Sequence, residues 1–397
     1  MVKSVVKIIG LGIVLWAVSL GVMVWYKWPA LKPVFIHPPL DVNEINVTVG
    51  QLPETKPSPD QRKTVVEVFA QDLGPVRFLA WSPDGVLIAS ITRSNKVVAL
   101  PDENKDGRAD KVLNIVTGLN LPHGLAWRNR DLFIAETDKV IVLRNVQPDF
   151  SYDKKETIIT DIPGGANHFT RTLAIGPDEK LYISVGSSCN VCNETNPYRA
   201  AVLQAKVDGG DLKLYASGLR NSVGLTFRPG TDELWGTDNG RDRVDDDLPP
   251  EEVNIIREGK NYGWPICYGE KIHDTDFDKN VYVRDPCADT IAPHIEFQAH
   301  SAPLGLRFYQ GEMFSEFAGD LFVANHGSWN RSIPTGYNVM RFEMDGSRVV
   351  SRNVFLDNWL RPDGSSTGRP VDIIFDQAGQ MFISDDASGV IYLVTKR

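Results

Sequence analysis

The chain has 397 residues, 42% of them apolar and 23% charged, which excludes a disordered or fibrous protein. Its 42 Lys and Arg against 51 Asp and Glu give a net charge of −9, so nucleic acid is not an expected partner. The 37 aromatic residues (9 Trp, 11 Tyr, 17 Phe), with 33 Gly and 25 Pro, suit many short strands joined by tight turns.

In chain order, Lys3 and Lys7 come first and precede Ile8–Tyr26, 19 residues without a charge, enough to span about 30 Å of hydrocarbon as a helix. Trp25, Tyr26 and Trp28 suit a membrane interface. The run ends in Trp-Tyr-Lys-Trp-Pro and not at small residues, so residues 1–28 are expected to be an uncleaved membrane anchor, with a cleaved signal peptide as the competing reading. Both readings export the remainder to the periplasm or cell exterior. Residues 29–62, punctuated by Pro29, Pro33, Pro38, Pro39, Pro53, Pro57 and Pro59, read as a stalk, and residues 63–397 as the working domain.

That domain repeats a short apolar strand, a polar turn and a second apolar strand six times. Trp81, Trp127, Ile175, Phe227, Phe308 and Phe375 hold the equivalent position, at steps of 46, 48, 52, 81 and 67 residues. A four-stranded propeller blade takes about 40–50 residues, so the expected fold is an all-β six-bladed propeller with insertions in its later blades. The final strand, Gly389 to Thr395, is expected to share a blade with Thr64 to Phe69 and close the ring. The cysteines are close in sequence as two pairs, so in an exported chain Cys189–Cys192 and Cys267–Cys287 disulfides are expected. The Cys189-Asn-Val-Cys192 spacing alone also fits a redox or zinc motif. Asn193 and not His follows it, against haem attachment, and no second such pair supports zinc.

In a propeller the loops at one end of the channel converge, so polar groups just before each first strand are the candidates for chemistry. His168, in Gly164-Gly-Ala-Asn-His-Phe-Thr-Arg171, can take a proton from a substrate hydroxyl. His123 and His300 hold similar places, so a three-histidine metal site is a competing reading. Arg220 and Asn221 offer a guanidinium fork and an amide for an oxyanion or carboxylate. Asp238-Asn-Gly-Arg-Asp242, Asp245-Asp-Asp247 and Glu251-Glu-Val-Asn254 supply hard oxygens suited to Ca²⁺. Asp102, Asn104 and Asp106 followed by Gly107 have calcium-loop spacing, with Asp110 replacing the missing twelfth-position acid. Asn330, Arg331 and Arg369 add polar and cationic groups toward the same end as His168. No nucleophile elbow, dinucleotide fingerprint or P-loop is present.

The Asn167-His168 loop, Gly218-Leu-Arg-Asn221, Glu251-Glu-Val-Asn-Ile-Ile and Gly259-Lys-Asn-Tyr-Gly-Trp-Pro265 occur in this order in the soluble quinoprotein sugar dehydrogenases, and the chain resembles that family over about residues 65–397. The resemblance implies a six-bladed propeller that binds pyrroloquinoline quinone and Ca²⁺ and oxidises a sugar or related alcohol. It implies that His168 is the general base and that Arg220 and Asn221 contact the quinone oxygens. It further implies that the Gly240 and Arg241 carbonyls bind the cofactor's calcium, and that Glu252 and the Tyr262 carbonyl bind a second, structural calcium. Arg369 matches one of two arginines that clamp the cofactor carboxylates; Val371 stands where the other is expected, and Asn330 and Arg331 stand in for an expected lysine. With no haem motif in the chain, an external electron acceptor is implied. A calcium-dependent lactonase and a non-enzymatic propeller that holds a glycan or protein are the alternatives.

Overall fold

The computed structural model describes residues 64–165 and 167–397. The expected anchor, residues 1–28, and the expected stalk, residues 29–62, lie outside the described residues. Among the described residues, no helix is long and apolar enough to cross a membrane.

Six four-stranded antiparallel sheets and one two-stranded hairpin make up the described strands. The innermost strands are Val76–Trp81, Leu125–Arg128, Leu173–Ile175, Leu225–Phe227, Pro303–Phe308 and Pro370–Phe375. Each touches the next, and the last touches the first, so the sheets form a closed ring of blades. The repeated aromatic or Ile sits at or beside the end of every inner strand. Blade six is completed by Thr64–Ala70, which pairs antiparallel with Val390–Lys396, as the sequence predicts. This pairing joins the two ends of the domain and removes a free sheet edge.

The strands are apolar because both faces of a blade are covered. Leu87–Ile91, Leu234–Asp238 and Leu321–Asn325, the second strands of blades one, four and five, are buried at every residue. Their side chains pack against neighbouring sheets in clusters such as that of Trp235, Val253, Leu306, Val323 and Phe342. The inner strands begin irregularly, and hydroxyls on the second strands take up the displaced N–H groups. Ser90 accepts from Phe78 (3.0 Å), Ser184 from Thr172 (3.1 Å), Thr237 from Gly224 (2.9 Å) and Ser384 from Asp372 (3.0 Å). Backbones approach so closely there that a Cβ at Gly224 would collide with the Leu304 carbonyl.

Phe78, Val223, Leu304 and Val371 meet in one buried cluster and plug the channel. The long step in blade four is an insertion between Glu251–Ile256 and Ile295–Phe297, which carries the hairpin Cys267–Tyr268/Ile272–His273. Both predicted disulfides form, Cys189–Cys192 and Cys267–Cys287.

Candidate active site

An inner strand runs away from the site-bearing end and the second strand returns to it. The loops before inner strands and those after second strands therefore share one rim. They enclose a pit of about 110 Å³ above the channel plug, with His168, Arg220, Asn221, Gly240, Glu251 and Asn330 in its wall.

The Asn167-His168 loop is tied by two buried arginines whose donors reach only carbonyls. Arg171 donates to Thr170 (2.7 Å) and Pro163 (2.7 Å), and Arg199 to Gly164 (2.7 Å) and Gly165 (3.1 Å). Nδ1 of His168 lies 3.1 Å from the Ser187 carbonyl and 2.9 Å from its Oγ. The Ser187 hydroxyl proton goes to the Cys189 carbonyl at 2.7 Å, so Nδ1 must be the donor and Nε2 keeps its lone pair. Withdrawal of the ring from water, then the Arg220, Arg171 and Arg199 charges, hold the imidazole down to about 3. It is therefore neutral at physiological pH.

Arg220 is buried, and its guanidinium is held by oxygens: Nε to Asn190 O (2.8 Å), Nη2 to Asn190 Oδ1 (2.9 Å) and Asp242 Oδ2 (3.2 Å), and Nη1 to Asn239 O (3.0 Å). Asp238, the last residue of its strand, fixes the turn itself. Its carboxylate accepts the backbone N–H of Arg220 (2.9 Å) and Asn221 (2.7 Å) and the Ser222 hydroxyl (3.2 Å). Burial still pushes Asp238 up to about 7. Asn330 contributes an amide whose Nδ2 and Oδ1 are both buried without a partner. An amide in a pit wall with neither end satisfied fits a ligand-contacting group.

A separate cavity of about 20 Å³, room for one ion or water, lies beside the pit against Asp238, Gly240, Arg241, Glu252 and Tyr262. Its carboxylate oxygens are hard donors of the kind calcium takes. Asp238, Glu252 and Glu296 stand opposite one another across three adjacent strands. Glu252 is pushed up to about 8 by burial and by the Asp238 charge. Asn254 donates to Glu252 (3.0 Å) but leaves its own Oδ1 buried without a partner, as Glu296 does its Oε1. Gly269 N also donates to Glu252 (3.0 Å), so the oxygens left over are Asn254 Oδ1 and Glu296 Oε1, and these two beside the buried Glu252 carboxyl fit a cation. The Arg241 side chain turns to Asp274 (2.8 Å), and the Tyr262 hydroxyl donates to Ile255 O (2.6 Å).

Other expected residues are placed elsewhere. Arg331 donates to Asp246 O (2.8 Å) and Asp247 Oδ1 (2.7 Å) at the outer edge of the acidic loop. Arg369 donates to the carbonyls of His326 and Gly327 and lies over the Tyr337 ring. Neither guanidinium lines the pit. The three-histidine site does not form: His300 lines the pit but binds Asp245 O (2.7 Å), while His123 is buried in the channel against Phe78. The Asp102 loop joins the third and fourth strands of blade one, at the opposite end of the ring. Backbone N–H groups of the loop hold its side-chain oxygens in place: Asp102 accepts Asp106 N (3.1 Å) and Gly107 N (3.0 Å), Asn104 also accepts Asp106 N (2.9 Å), and Asp110 accepts Glu103 N (2.6 Å), which leaves each oxygen a second lone pair. Sequence reasoning missed Ser187, Asn190 and the two loop-tying arginines, which act through other residues and carry no motif of their own.

The sequence model of one family, described as TrAA12-like, matches residues 62–397. The chain belongs to this family of soluble-type pyrroloquinoline quinone-dependent sugar dehydrogenases. An uncharacterised Borreliella burgdorferi protein is 35% identical to this TrAA12-like chain over 301 residues, 72% of the chain and 78% of that protein. A Hypocrea jecorina protein named pyrroloquinoline quinone-dependent sugar dehydrogenase is 26% identical over 287 residues, 60% of this chain and 65% of that one. The calcium structure of a Trichoderma reesei family AA12 carbohydrate-active enzyme superposes with a TM-score of 0.73 at 22% identity, over 84% of this chain and 96% of that one. At that identity the superposition supports the TrAA12-like fold alone.

Proposed function

We propose that the protein is a quinoprotein dehydrogenase that oxidises a hydroxyl-bearing carbon of a sugar or related alcohol and passes the electrons to an external acceptor. The observation that carries this reading is a neutral imidazole sharing one pit with a buried guanidinium and an unsatisfied amide. Pyrroloquinoline quinone, when bound, supplies the two-electron acceptor for the substrate C–H.

The chain's own residues supply the rest. His168 Nε2 takes the hydroxyl proton as the carbonyl forms, and Ser187 keeps the ring oriented by holding Nδ1. Arg220, itself buried, and Asn221 aim donors at the place where negative charge develops. The unsatisfied Asn330 amide holds the cofactor. Arg331 and Arg369 serve its carboxylates only by exchanging the acceptors they now hold. Glu252 with the Tyr262 carbonyl would hold a calcium in the small cavity, and the Gly240 carbonyl, on the pit wall as well, would with that of Arg241 hold the cofactor's calcium on the pit side. The two disulfides support display of the propeller outside the cytoplasm, and the uncharged run Ile8–Tyr26 is the ground for anchoring it through residues 1–28.

The test is reconstitution of the apo-protein with pyrroloquinoline quinone and Ca²⁺, followed by an artificial-dye assay over a panel of aldoses and polyols. A cofactor absorbance change and dye reduction are expected. Neither response across the panel would refute the reaction.

A further inference from the structure

The short loop closed by the Cys189–Cys192 disulfide, its cysteines three residues apart, touches both halves of the pit's chemistry. On one side the Cys189 carbonyl accepts the Ser187 hydroxyl (2.7 Å), the interaction that commits His168 Nδ1 to donating. On the other, Asn190 accepts from Arg220 twice, through its carbonyl (2.8 Å) and its Oδ1 (2.9 Å). The same Oδ1 takes the Asp242 N–H (2.8 Å), and Asn190 Nδ2 returns a bond to Asp242 O (3.0 Å). Asn190 thus supplies two of the four oxygens around Arg220 and fastens the residue that supplies a third.

We infer that the Cys189–Cys192 loop is a positioning element for the reacting pair, with Asn190 setting Arg220 and Ser187 setting His168. This rests on the reading of His168 and Arg220 as that pair. The covalent ring does what hydrogen bonds alone do less well: it removes most of the conformations in which Asn190 would point elsewhere. Cys189 and Cys192 are half-buried residues, whereas Cys267 and Cys287 are buried. Mild dithiothreitol can therefore reduce the first pair to two thiols, itself leaving as its cyclic disulfide, while the second stays closed.

The experiment reads His168 without cofactor. Its imidazole titration is followed by NMR in the apo-protein and assigned by difference from His168→Gln. After burial, Arg220 is the largest of the charges that hold the imidazole neutral, so moving it away raises the midpoint. Asn190→Ala, and the wild type after mild reduction, are expected to raise it by about one pH unit or more. In the loaded enzyme Asn190→Ala is expected to lower kcat by about 100-fold while KM for the sugar stays within about threefold. Cys267→Ala/Cys287→Ala serves as the control and should titrate as wild type. If Asn190→Ala does not fold, the reduced wild type alone decides. An unmoved midpoint in folded Asn190→Ala and in the reduced protein overturns the inference, as does an equal shift in the control. A wild type that oxidises no sugar refutes the proposed reaction and leaves this titration result standing.

Discussion

Arg171 donates from Nη1 to the backbone carbonyl of His168 at 2.8 Å, so a fully buried cation holds the residue whose ring faces the pit. Desolvation pushes Arg171 itself down to about 9, yet it remains charged at neutral pH. The arrangement serves position and protonation together. The loop is fixed by carbonyl contacts, and burial, with the positive field added to it, keeps the imidazole unprotonated.

The first prediction concerns pH. A base works in its unprotonated form, and His168 is held down to about 3, below its ordinary 6.5. With calcium saturating at every pH, turnover should therefore show no acid limb near 6.5 as pH falls from 8 to about 5. His168→Gln should lower kcat by about 10²- to 10⁴-fold with an unchanged circular dichroism spectrum. A wild-type pH profile with a midpoint near 6.5 would show that the imidazole is not shielded in this way.

The second prediction concerns Asp238. Its carboxylate organises the Arg220–Ser222 turn through three donors. Asp238→Asn keeps the shape but replaces one accepting oxygen with an amide that clashes with an N–H. Thermal or denaturant unfolding should show a loss of about 1–3 kcal/mol, and kcat should fall more than KM rises. Asp238→Asn with wild-type stability would separate this carboxylate from the turn.

The ring of blades is legible in the sequence because a large apolar residue recurs six times at or beside the end of an inner strand, followed each time by a turn and a second apolar strand. Which imidazole faces the pit is less legible, since His123, His168 and His300 all precede inner strands. His123 directly adjoins Gly124, at the close approach of neighbouring inner strands, and so enters the channel. His168 lies five residues before Leu173, far enough back to sit on the rim. The engagement of Arg331 and Arg369 depends on carbonyls and carboxylates brought in by distant loops, which no local pattern encodes. Asn190 is visible in the sequence only as the filling of a Cys-x-x-Cys pair, and its role appears once Arg220 is folded against it.

The third prediction couples calcium to pH. Burial raises Glu252 to about 8 and Asp238 to about 7 when no cation is bound. Raised carboxyls stabilise the fold below their unfolded values, near 4, and that contribution is lost as pH climbs through their folded values. In chelator, Tm should therefore fall as pH rises from about 5 to about 8. Calcium must displace those protons, so its affinity should increase over the same range, and with saturating calcium Tm should be nearly flat. Equal curves with chelator and with calcium would mean that the oxygen-lined cavity takes no ion.

The last prediction concerns the second disulfide. Cys267 and Cys287 are 20 residues apart and close the blade-four insertion, which carries Asp274. Asp274 is buried and pairs with Arg241, whose carbonyl is one of the proposed calcium ligands. Cys267→Ala/Cys287→Ala should lower stability by about 3 kcal/mol, because the open insertion gains freedom in the unfolded chain. It should also weaken calcium binding, because Arg241 is then anchored to a looser segment. Asp274→Asn keeps the disulfide but removes the charge that faces the guanidinium, and should reproduce the weaker calcium binding with a smaller fall in Tm. Titration calorimetry on both variants separates the effects. If Asp274→Asn binds calcium as wild type does, the insertion stabilises the blade without supporting the cation.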